Sequence, residues 1–306
     1  MNSEIILTTL NARYMHSAFG LRYLYANLEE LQTRAQIQEF TIQQRPADIV
    51  EQLLALQPRI IGFSVYIWNL TETTRVIELL KQVSPQTLVI VGGPEVSFAD
   101  DLPALTEQVD HIVTGPGEIS FRELCRDLLK NRPMASQLIT GRTSKLDELK
   151  LPYDFYTDED LRNRLIYVEA SRGCPFKCEF CLSSLDKTAK PFELQRFLDA
   201  MDGLFRRGAR NFKFIDRTFN LKVSSSVAIL EFFLARMEDD LYLHFEVIPD
   251  FLPEKLKQVL TRFPPGSLQF EIGVQTFDPA IQQTISRRQD NDKTCANLLW
   301  LREHTG

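Results

Sequence analysis

Three of the five cysteines in this chain lie in one short segment, SRGCPFKCEFCLSS (171–184). Cys174, Cys178 and Cys181 have the spacing C-x3-C-x2-C, and the hydrophobic run RLIYVEA leads directly into them. Thiolates are preferred ligands of zinc and of iron–sulfur clusters. Structural zinc takes four protein ligands, whereas three cysteines on one loop suit three irons of a [4Fe–4S] cube. The fourth iron then stays open to a ligand from outside the polypeptide.

The cysteine segment opens a half of the chain in which strands and helices alternate. Strand-like runs cover 165–170, 211–216, 243–248 and 267–274, and helix-like segments follow over 190–207, 223–238, 253–262 and 278–303. Four such βα units predict a partial (β/α) TIM-like barrel, whose catalytic groups occupy the carboxyl ends of the strands. Polar residues stand at or near the ends of these strands: Asp216, Arg217, Glu246, Asp250 and Gln275.

The spacing C-x3-C-x2-C, with the aromatic Phe180 before the last cysteine, resembles the signature of radical S-adenosylmethionine (SAM) enzymes. The resemblance implies that Cys174, Cys178 and Cys181 hold a [4Fe–4S] cluster. It also implies that the amino and carboxylate groups of SAM chelate the open iron. One electron from the cluster then cleaves SAM to a 5′-deoxyadenosyl radical, which abstracts hydrogen from an unreactive carbon.

Three further segments resemble cofactor-contacting parts of that family. FIDRTFN resembles the segment that replaces its Gly-Gly-Glu motif, which implies that Asp216 contacts the SAM amino group; the alternative is a simple turn cap. EIGVQTF resembles a strand of the coproporphyrinogen-oxidase-like branch, which implies that Gln275, with Glu246 on the third strand, helps to hold the cofactor. SRRQDND resembles an arginine-bearing segment, so Arg287 or Arg288 either faces the SAM carboxylate or lies on a solvated helix face.

The first half of the chain also alternates, over five strand-like runs. These cover 4–10, 35–42, 59–67, 87–93 and 111–115, and the helix-like segments cover 19–32, 47–56, 72–83, 101–108 and 118–130. Nearly continuous apolar strands with helices between them predict a doubly wound, Rossmann-like parallel sheet. Turn residues cluster where the strands end, at the edge where such sheets bind ligands. We expect a first domain over 1–140, a linker over 141–163 and the partial barrel over 164–306.

The segments GFSVYIWN, VIVGGPEVSF and HIVTGPGEISFRELC resemble the cobalamin-binding domain of B12-dependent radical enzymes. The whole chain is similar to B12-binding radical proteins whose N-termini read like NARYMHSAFGLRYL. The resemblance implies that Gly20 lies under the corrin and that Ser64, Gly92 and Gly93 line the groove for its nucleotide tail. The motif D-x-H-x-x-G is absent around His16, so His16 is not assigned as a cobalt ligand. The resemblance to this class implies cobalamin bound without a protein histidine. A domain that has kept the fold and lost cobalamin is the alternative.

The composition of the chain limits the classes of partner that it is expected to bind. A net charge of −6 and a pI of about 5.4 argue against a broad nucleic-acid surface. The chain shows no apolar run long enough for a membrane span, and its clustered cysteines indicate a reducing, cytoplasmic location.

The barrel of the family that the chain resembles usually has six strands. The four strands counted here therefore predict a barrel that is truncated in this chain, with an exposed sheet edge.

The expected function is that of a radical SAM enzyme, cobalamin-dependent, which methylates or otherwise functionalises a C–H bond of a small molecule. We expect a reducing partner such as flavodoxin or ferredoxin. Two alternatives remain open at this point. One is a metal-stabilised binding module or an inactive truncated remnant, and the other is a radical enzyme that modifies RNA.

Overall fold

The computed structural model describes residues 3–97, 102–185 and 188–306. The chain divides into two compact units, Met1–Thr157 and Asp158–Gly306. No helix within the described residues is sufficiently long and apolar to span a bilayer.

The first unit is a six-stranded sheet with helices between its strands. Its strands are β1 (Ile5–Asn11), β2 (Ala35–Thr41), β3 (Ile60–Ser64), β4 (Leu88–Gly92), β5 (His111–Thr114) and β6 (Leu138–Thr140), and its α-helices are α1 (Phe19–Ala26), α2 (Pro46–Ala55), α3 (Leu70–Val83) and α4 (Glu118–Leu129). All pairs are parallel, in the order β2-β1-β3-β4-β5-β6. The predicted doubly wound sheet is confirmed.

The strands of this sheet are apolar because helices cover both of its faces. In β1, Ile6 and Leu10 pack in the core shared with α2 and α3. The alternate residues Ile5 and Leu7 pack in the core shared with α1 and α4. A strand buried on both sides reads as a continuous hydrophobic run, which is why its position was predictable from the sequence.

A topological switch point lies between β1 and β3, which are neighbours in the sheet although β2 separates them in sequence. Ligands of open parallel sheets bind at such a point, beyond the carboxyl ends of the strands. The fully buried Asn69 joins the two strand ends. Its Nδ2 donates to the Leu10 carbonyl (3.1 Å) and the Ser64 carbonyl (3.2 Å), and its Oδ1 accepts from the Tyr66 amide (2.8 Å).

Gly93 follows β4 in a conformation that only glycine adopts easily, with φ +111°. A Cβ there would lie 2.5 Å from the Val65 carbonyl oxygen and 2.9 Å from the Val65 nitrogen. Because backbone atoms cannot yield as a side chain can, we expect Gly93→Ala to lower the free energy of unfolding by about 2–5 kcal/mol. Gly115→Ala is the matched control, since Gly115 has φ +67° and no atom near the Cβ position.

Urea unfolding of the two variants measures the comparison. The strained backbone alone should cost Gly115→Ala about 1 kcal/mol. Equal losses in the two variants would show that the contact with Val65 is not what requires glycine at position 93.

The second unit contains a four-stranded parallel sheet in sequence order, β12-β11-β10-β7. Its elements are α5 (Asp158–Asn163), β7 (Ile166–Val168), β8 (Ser171–Arg172), β9 (Lys190–Pro191), α6 (Leu194–Arg206), β10 (Asn211–Phe214), α7 (Val223–Leu234), β11 (Tyr242–Glu246), α8 (Glu254–Leu260), β12 (Leu268–Glu271), α9 (Pro279–Thr284) and α10 (Asn291–His304). Four strands in this order are the partial barrel that the sequence predicts.

The two faces of the second sheet differ in chemistry. Phe212, Phe214 and Phe245 are fully buried on one face, and Phe212 and Phe214 contact the ring of Phe233 in α7. Because side chains alternate along a strand, the residues between them point to the other face, which is the concave side of a (β/α) barrel. The helices are therefore held by an aromatic core, and the opposite face is left for polar groups.

The segment predicted as one helix over 278–303 is two helices with a break. Asp278 caps α9 by accepting from the Ala280 and Ile281 amides, and Asp290 caps α10 by accepting from the Lys293 amide. Ser286 has φ +53°, which ends the first helix. Both caps follow the ordinary preference of aspartate for the N-cap position. The break places residues 285–287 beside the cysteine loop.

Candidate functional site

The cysteine loop is the part of the chain between β8 and β9. These two short strands pair antiparallel, with Ser171 opposite Pro191 and Arg172 opposite Lys190. The pairing closes the loop at its base, immediately beyond the carboxyl end of β7. Gly173, with φ +91°, turns the chain into the loop one residue before Cys174. The sequence predicts this placement of the cysteines after the first strand, but it gave no sign of the β8–β9 pairing.

The three thiols lie in a partly buried environment. Cys174 and Cys178 are buried, Cys181 is half-exposed, and the Cys181 amide donates to the Cys178 carbonyl (3.1 Å). Burial raises the pKa of the Cys174 thiol, the other two thiols raise it further, and the Arg217 guanidinium opposes them. The three cysteines and Arg217 are therefore within electrostatic range of one another.

The thiols are not arranged as a preformed metal site. Within residues 3–97, 102–185 and 188–306, no three His, Cys, Asp or Glu side chains converge as metal ligands. The two remaining cysteines, Cys125 in α4 and Cys295 in α10, do not complete the set: Cys125 is fully buried in the first unit and Cys295 is exposed. The donor set near the loop is thus three thiols, which is the ligand chemistry of iron–sulfur clusters.

Two predicted polar residues meet beside the loop. Arg217, just after β10, donates from Nη1 to both carboxylate oxygens of Glu246 at 2.9 Å each. Burial lowers the pKa of Arg217, but the Glu246 carboxylate and the Cys181 thiol raise it, and the net direction is upward. Glu246 therefore holds the Arg217 guanidinium within electrostatic range of the Cys181 thiol.

Asp216 is buried beneath the cysteine loop. Its Oδ2 accepts from the Ala170 amide (2.9 Å) and its Oδ1 accepts from the Ser171 hydroxyl (2.6 Å). Both carboxylate oxygens of Asp216 thus accept hydrogen bonds from residues 170–171, which lead from β7 into the loop. This arrangement matches the alternative of a structural cap more closely than a contact with SAM.

The charge of Asp216 makes stability depend on pH. Burial raises its pKa to about 7, although the hydrogen bonds from Ser171 and Ala170 lower it. As pH rises, the unfolded carboxyl loses its proton first, so the folded state is progressively disfavoured between about pH 4 and pH 7. We expect this group to lower the free energy of unfolding by about 2 kcal/mol from pH 5 to pH 7.

Asp216→Asn tests this expectation, because the amide fills the same space without a titratable proton. Urea unfolding at pH 5 and pH 7 should show the pH-dependent loss in the parent protein and in the control Asp239→Asn, an exposed position. The loss should be smaller in Asp216→Asn. Parallel pH profiles in all three proteins would contradict a raised pKa at Asp216.

The other predicted cofactor residues lie at the same edge of the sheet. Gln275 is exposed beyond β12 and has φ +67°, a conformation that is costly for a residue with a side chain. Phe180, between the second and third cysteines, is 52% exposed. Arg287 reaches the loop and Arg288 does not: Nη1 of Arg287 lies 3.9 Å from the Cys178 sulfur, whereas Arg288 is exposed.

A row of charged residues on the polar face of the sheet was not predicted. Nζ of Lys213 and Nε2 of His244 each lie 3.3 Å from Oε2 of Glu271. The His244–Glu271 pair is within ion-pair distance, but burial lowers the pKa of His244, and Nε2 lacks hydrogen-bond geometry. The alternation of polar and aromatic residues in NFKF and LHFE is the signal that would have identified this face.

The predicted glycines and serine of the first unit come together at the switch point. Ser64 ends β3 and is paired with Gly92 at the end of β4. Gly20 lies in the first turn of α1, and a Cβ there would lie 3.6 Å from the Tyr66 hydroxyl. Burial raises the pKa of Tyr66, while a hydrogen bond with Ser64 lowers it. The turn at Gly93 packs against the backbone of Val65, in the loop after β3.

Large apolar side chains are exposed on the two loops that flank this switch point. Tyr14 and Met15 follow β1 and are 46% and 42% exposed; Ile67 and Trp68 follow β3 and are 77% and 51% exposed. The Trp68 ring stacks on Tyr66 with centroids 4.4 Å apart. Exposed apolar residues grouped at the carboxyl ends of strands are a feature of binding surfaces.

Two family models match the chain in succession. The B12 binding domain model matches residues 5–125, and the Radical SAM superfamily model matches residues 168–306. The chain carries a B12 binding domain followed by a radical SAM domain. The two matches cover the doubly wound sheet and the partial barrel, and the second begins six residues before the first clustered cysteine.

Curated relatives match part of the chain at modest identity. An uncharacterised methyltransferase of Pyrococcus horikoshii is 28% identical over 210 residues, which is 60% of this chain and 45% of that protein. The cobalamin-dependent radical SAM methyltransferase TokK of Streptomyces tokunonensis is 26% identical over 197 residues, which is 54% of this chain and 28% of that protein. The chain thus spans less than half the length of these relatives.

Solved structures share the fold. One match is TsrM, a radical SAM methyltransferase from Kitasatospora setae whose structure was solved with cobalamin and a [4Fe–4S] cluster bound. Its TM-score is 0.76 at 17% identity, and the match covers 99% of this chain and 65% of that chain. The cobalamin-dependent radical enzyme OxsB matches with a TM-score of 0.74 and 17% identity over 97% of this chain and 47% of that chain. At these identities the likeness shows the fold alone.

Proposed function

We propose that this protein is a cobalamin-dependent radical SAM enzyme that transfers a methyl group to a carbon of a small molecule. One observation carries the proposal. The thiols of Cys174, Cys178 and Cys181 lie on one loop that follows the carboxyl end of a parallel barrel strand. A donor set of three suits a [4Fe–4S] cluster with one iron open to SAM, and it suits closed structural zinc poorly.

Cys174, Cys178 and Cys181 are the proposed cluster ligands. A [4Fe–4S] cluster held there would supply the electron that splits SAM at a carbon–sulfur bond into methionine and a 5′-deoxyadenosyl radical. The loop is held at its base by the β8–β9 pairing and by Asp216, and the three thiols do not yet converge as metal ligands. Coupling of metal binding to local ordering of this kind is common in metalloproteins.

The protein groups around the loop fit an anionic cluster and a zwitterionic cofactor. Arg217 and Arg287 place positive charge beside the thiols, which favours binding of the negatively charged cluster. Glu246 and Gln275, at the ends of β11 and β12, are the proposed contacts of SAM. We assign Asp216 to support of the loop, since both of its carboxylate oxygens are bonded to residues 170–171.

The switch point of the first unit is the proposed cobalamin site. Gly20, Ser64, Gly92 and Gly93 lie around it, and glycine allows the backbone to approach a large ligand closely. The exposed apolar groups after β1 and β3 provide contact area for a planar ring. His16 stands in the loop after β1, and we assign it no role as a cobalt ligand.

The cobalamin site has a direct binding test. Ile67→Glu puts a charge on the exposed apolar surface and should weaken retention of hydroxocobalamin in equilibrium dialysis by at least tenfold. Val83→Glu is the control, because Val83 is 61% exposed at the end of α3, at the opposite edge of the sheet. Equal retention by both variants and the parent protein would place the ligand elsewhere.

The substrate is proposed to be a small molecule and the electron donor a protein such as flavodoxin or ferredoxin. The acidic pI and the absence of a broad basic surface in the composition argue against RNA as the substrate. An acidic protein still needs local positive charge for a redox partner, and the arginines beside the cysteine loop provide it.

The experiment for the whole proposal is SAM cleavage. Anaerobically reconstituted protein, supplied with hydroxocobalamin, dithionite and SAM, should form 5′-deoxyadenosine as measured by liquid chromatography. Cys178→Ala should form none, and Cys295→Ala, an exposed cysteine outside the loop, should match the parent protein. A fully loaded protein that leaves SAM intact would overturn the proposal.

A further inference from the structure

A short segment after α9 is bonded to the cysteine loop across more than a hundred residues of sequence. We call residues 285–287 the clamp segment. The Glu179 amide donates to the Ile285 carbonyl (3.1 Å), and the Ser286 hydroxyl donates to Oε1 of Glu179 (2.8 Å). Glu179 stands directly after Cys178, so the clamp segment holds the loop at its second cysteine.

Arg287 completes these contacts with its side chain. Its Nη2 donates to the Gly273 carbonyl just beyond β12, and its Nε donates to Oε1 of Gln289 (3.2 Å). Its Nη1 lies 3.9 Å from the Cys178 sulfur. The guanidinium is planar and permanently charged. With two of its nitrogens engaged elsewhere, the third is directed at the sulfur.

The clamp segment is itself held in place by a buried side chain. The Arg287 amide donates to the Gln282 carbonyl (2.8 Å). Nε2 of Gln282, which is 7% exposed, donates to the Thr276 carbonyl (2.9 Å) and to Oδ1 of Asn291 (2.7 Å). Arg287 is therefore positioned by packed structure and is not a freely moving surface arginine.

We propose that Arg287 is a positioning residue for the iron–sulfur cluster. It fixes the Cys178 sulfur against the end of β12 and donates a charged hydrogen bond to it. Reduction potentials of such clusters depend on net charge and on hydrogen bonds to the sulfurs. A positive donor stabilises the more negative, reduced cluster, so Arg287 makes the cluster easier to reduce. This inference rests on the proposed function, because it requires a cluster on the three cysteines.

Arg288 provides a matched control one residue away. It is exposed, and its side chain makes no hydrogen bond or ion pair with any residue that the structure describes. Arg287→Gln and Arg288→Gln therefore remove the same charge from adjacent positions, and only the first removes a contact with the loop. Arg287→Lys keeps the positive charge but removes the planar guanidinium group with its several N–H donors.

The test is an EPR-monitored redox titration of anaerobically reconstituted protein without SAM. We expect Arg287→Gln to shift the midpoint potential to more negative values, Arg287→Lys to shift it less, and Arg288→Gln to leave it unchanged. A merely structural role would lower the iron content but leave the potential of the loaded fraction unchanged. Equal potentials in Arg287→Gln and Arg288→Gln would overturn the proposal while leaving the proposed function standing.

A second measurement needs no cluster. Hydrogen–deuterium exchange of the cluster-free proteins should show faster exchange in the peptide covering 174–181 in Arg287→Gln than in Arg288→Gln. The exchange measurement tests the contact between the clamp segment and the cysteine loop even when a variant binds little iron. Identical exchange in the two variants would overturn the positioning role. A parent protein that binds no iron at all would overturn the proposed function and this inference together.

Discussion

Cys178→Ala is expected to remove the bound iron entirely. Cys178 is buried, lies in the middle of the cysteine triplet and contacts Arg287, and the two cysteines outside the triplet lie in other elements, α4 and α10. A cluster that already lacks a fourth protein ligand should not survive on two thiolates. Iron and acid-labile sulfide, measured after anaerobic reconstitution and gel filtration, should fall to background.

Cys295→Ala is the control for this result. Cys295 is an exposed cysteine in α10, so its removal tests for non-specific loss of iron caused by changing any thiol. This variant should load as the parent protein does. Retention of a full complement of iron by Cys178→Ala would mean that the metal is held by other residues.

Arg22→Met is expected to destabilise the first unit strongly. Arg22 and Glu39 form an ion pair at 2.7 Å with side chains only 3% and 6% exposed. Glu39 also accepts from Asn11 and from the Ala18 amide, both at 2.7 Å. Removing one partner of a buried pair leaves the other charge uncompensated, which costs about 3–5 kcal/mol.

The control for this prediction is an exposed ion pair in the same unit. Arg45 and Asp48 are in contact at 2.8 Å, but their side chains are 81% and 40% exposed. Arg45→Met should change the free energy of unfolding by less than about 1 kcal/mol, because water solvates both charges. Urea unfolding compares the two variants.

A double variant separates the charge from the packing. Arg22→Met with Glu39→Leu should recover part of the loss, since two apolar side chains leave no buried charge without a partner. A cost under about 1 kcal/mol for Arg22→Met alone would show that the pair is not effectively buried. The same network fixes the turn between β1 and α1, so it also shapes the proposed cobalamin site.

The strands of the first unit were predictable because burial on both faces makes them nearly continuous hydrophobic runs. β1 was expected over 4–10 and is found at Ile5–Asn11. β6 was missed, because it has only three residues, none of them buried, in a segment that mixes proline, glycine and charged residues with little periodicity. The first compact unit also extends to Thr157, where buried Tyr153 and Tyr156 pack within it.

The edge of the sheet that carries the site was predictable, but the contacts within it were not. Parallel strands end at a common edge, so Asp216, Glu246 and Gln275 were expected near the cysteines. The sequence could not show that Asp216 faces residues 170–171, because that depends on how one carboxyl is buried. It could not choose between Arg287 and Arg288 either, because the choice depends on the break between α9 and α10.

The central claim is that three cysteines hold an iron–sulfur cluster whose free corner binds SAM. EPR spectroscopy of the reduced, anaerobically reconstituted protein, recorded with and without SAM, tests it most directly. We predict a [4Fe–4S] signal that changes shape when SAM is added and that is absent in Cys178→Ala. A protein that binds zinc in place of iron, or a cluster signal that SAM leaves unchanged, would contradict the claim.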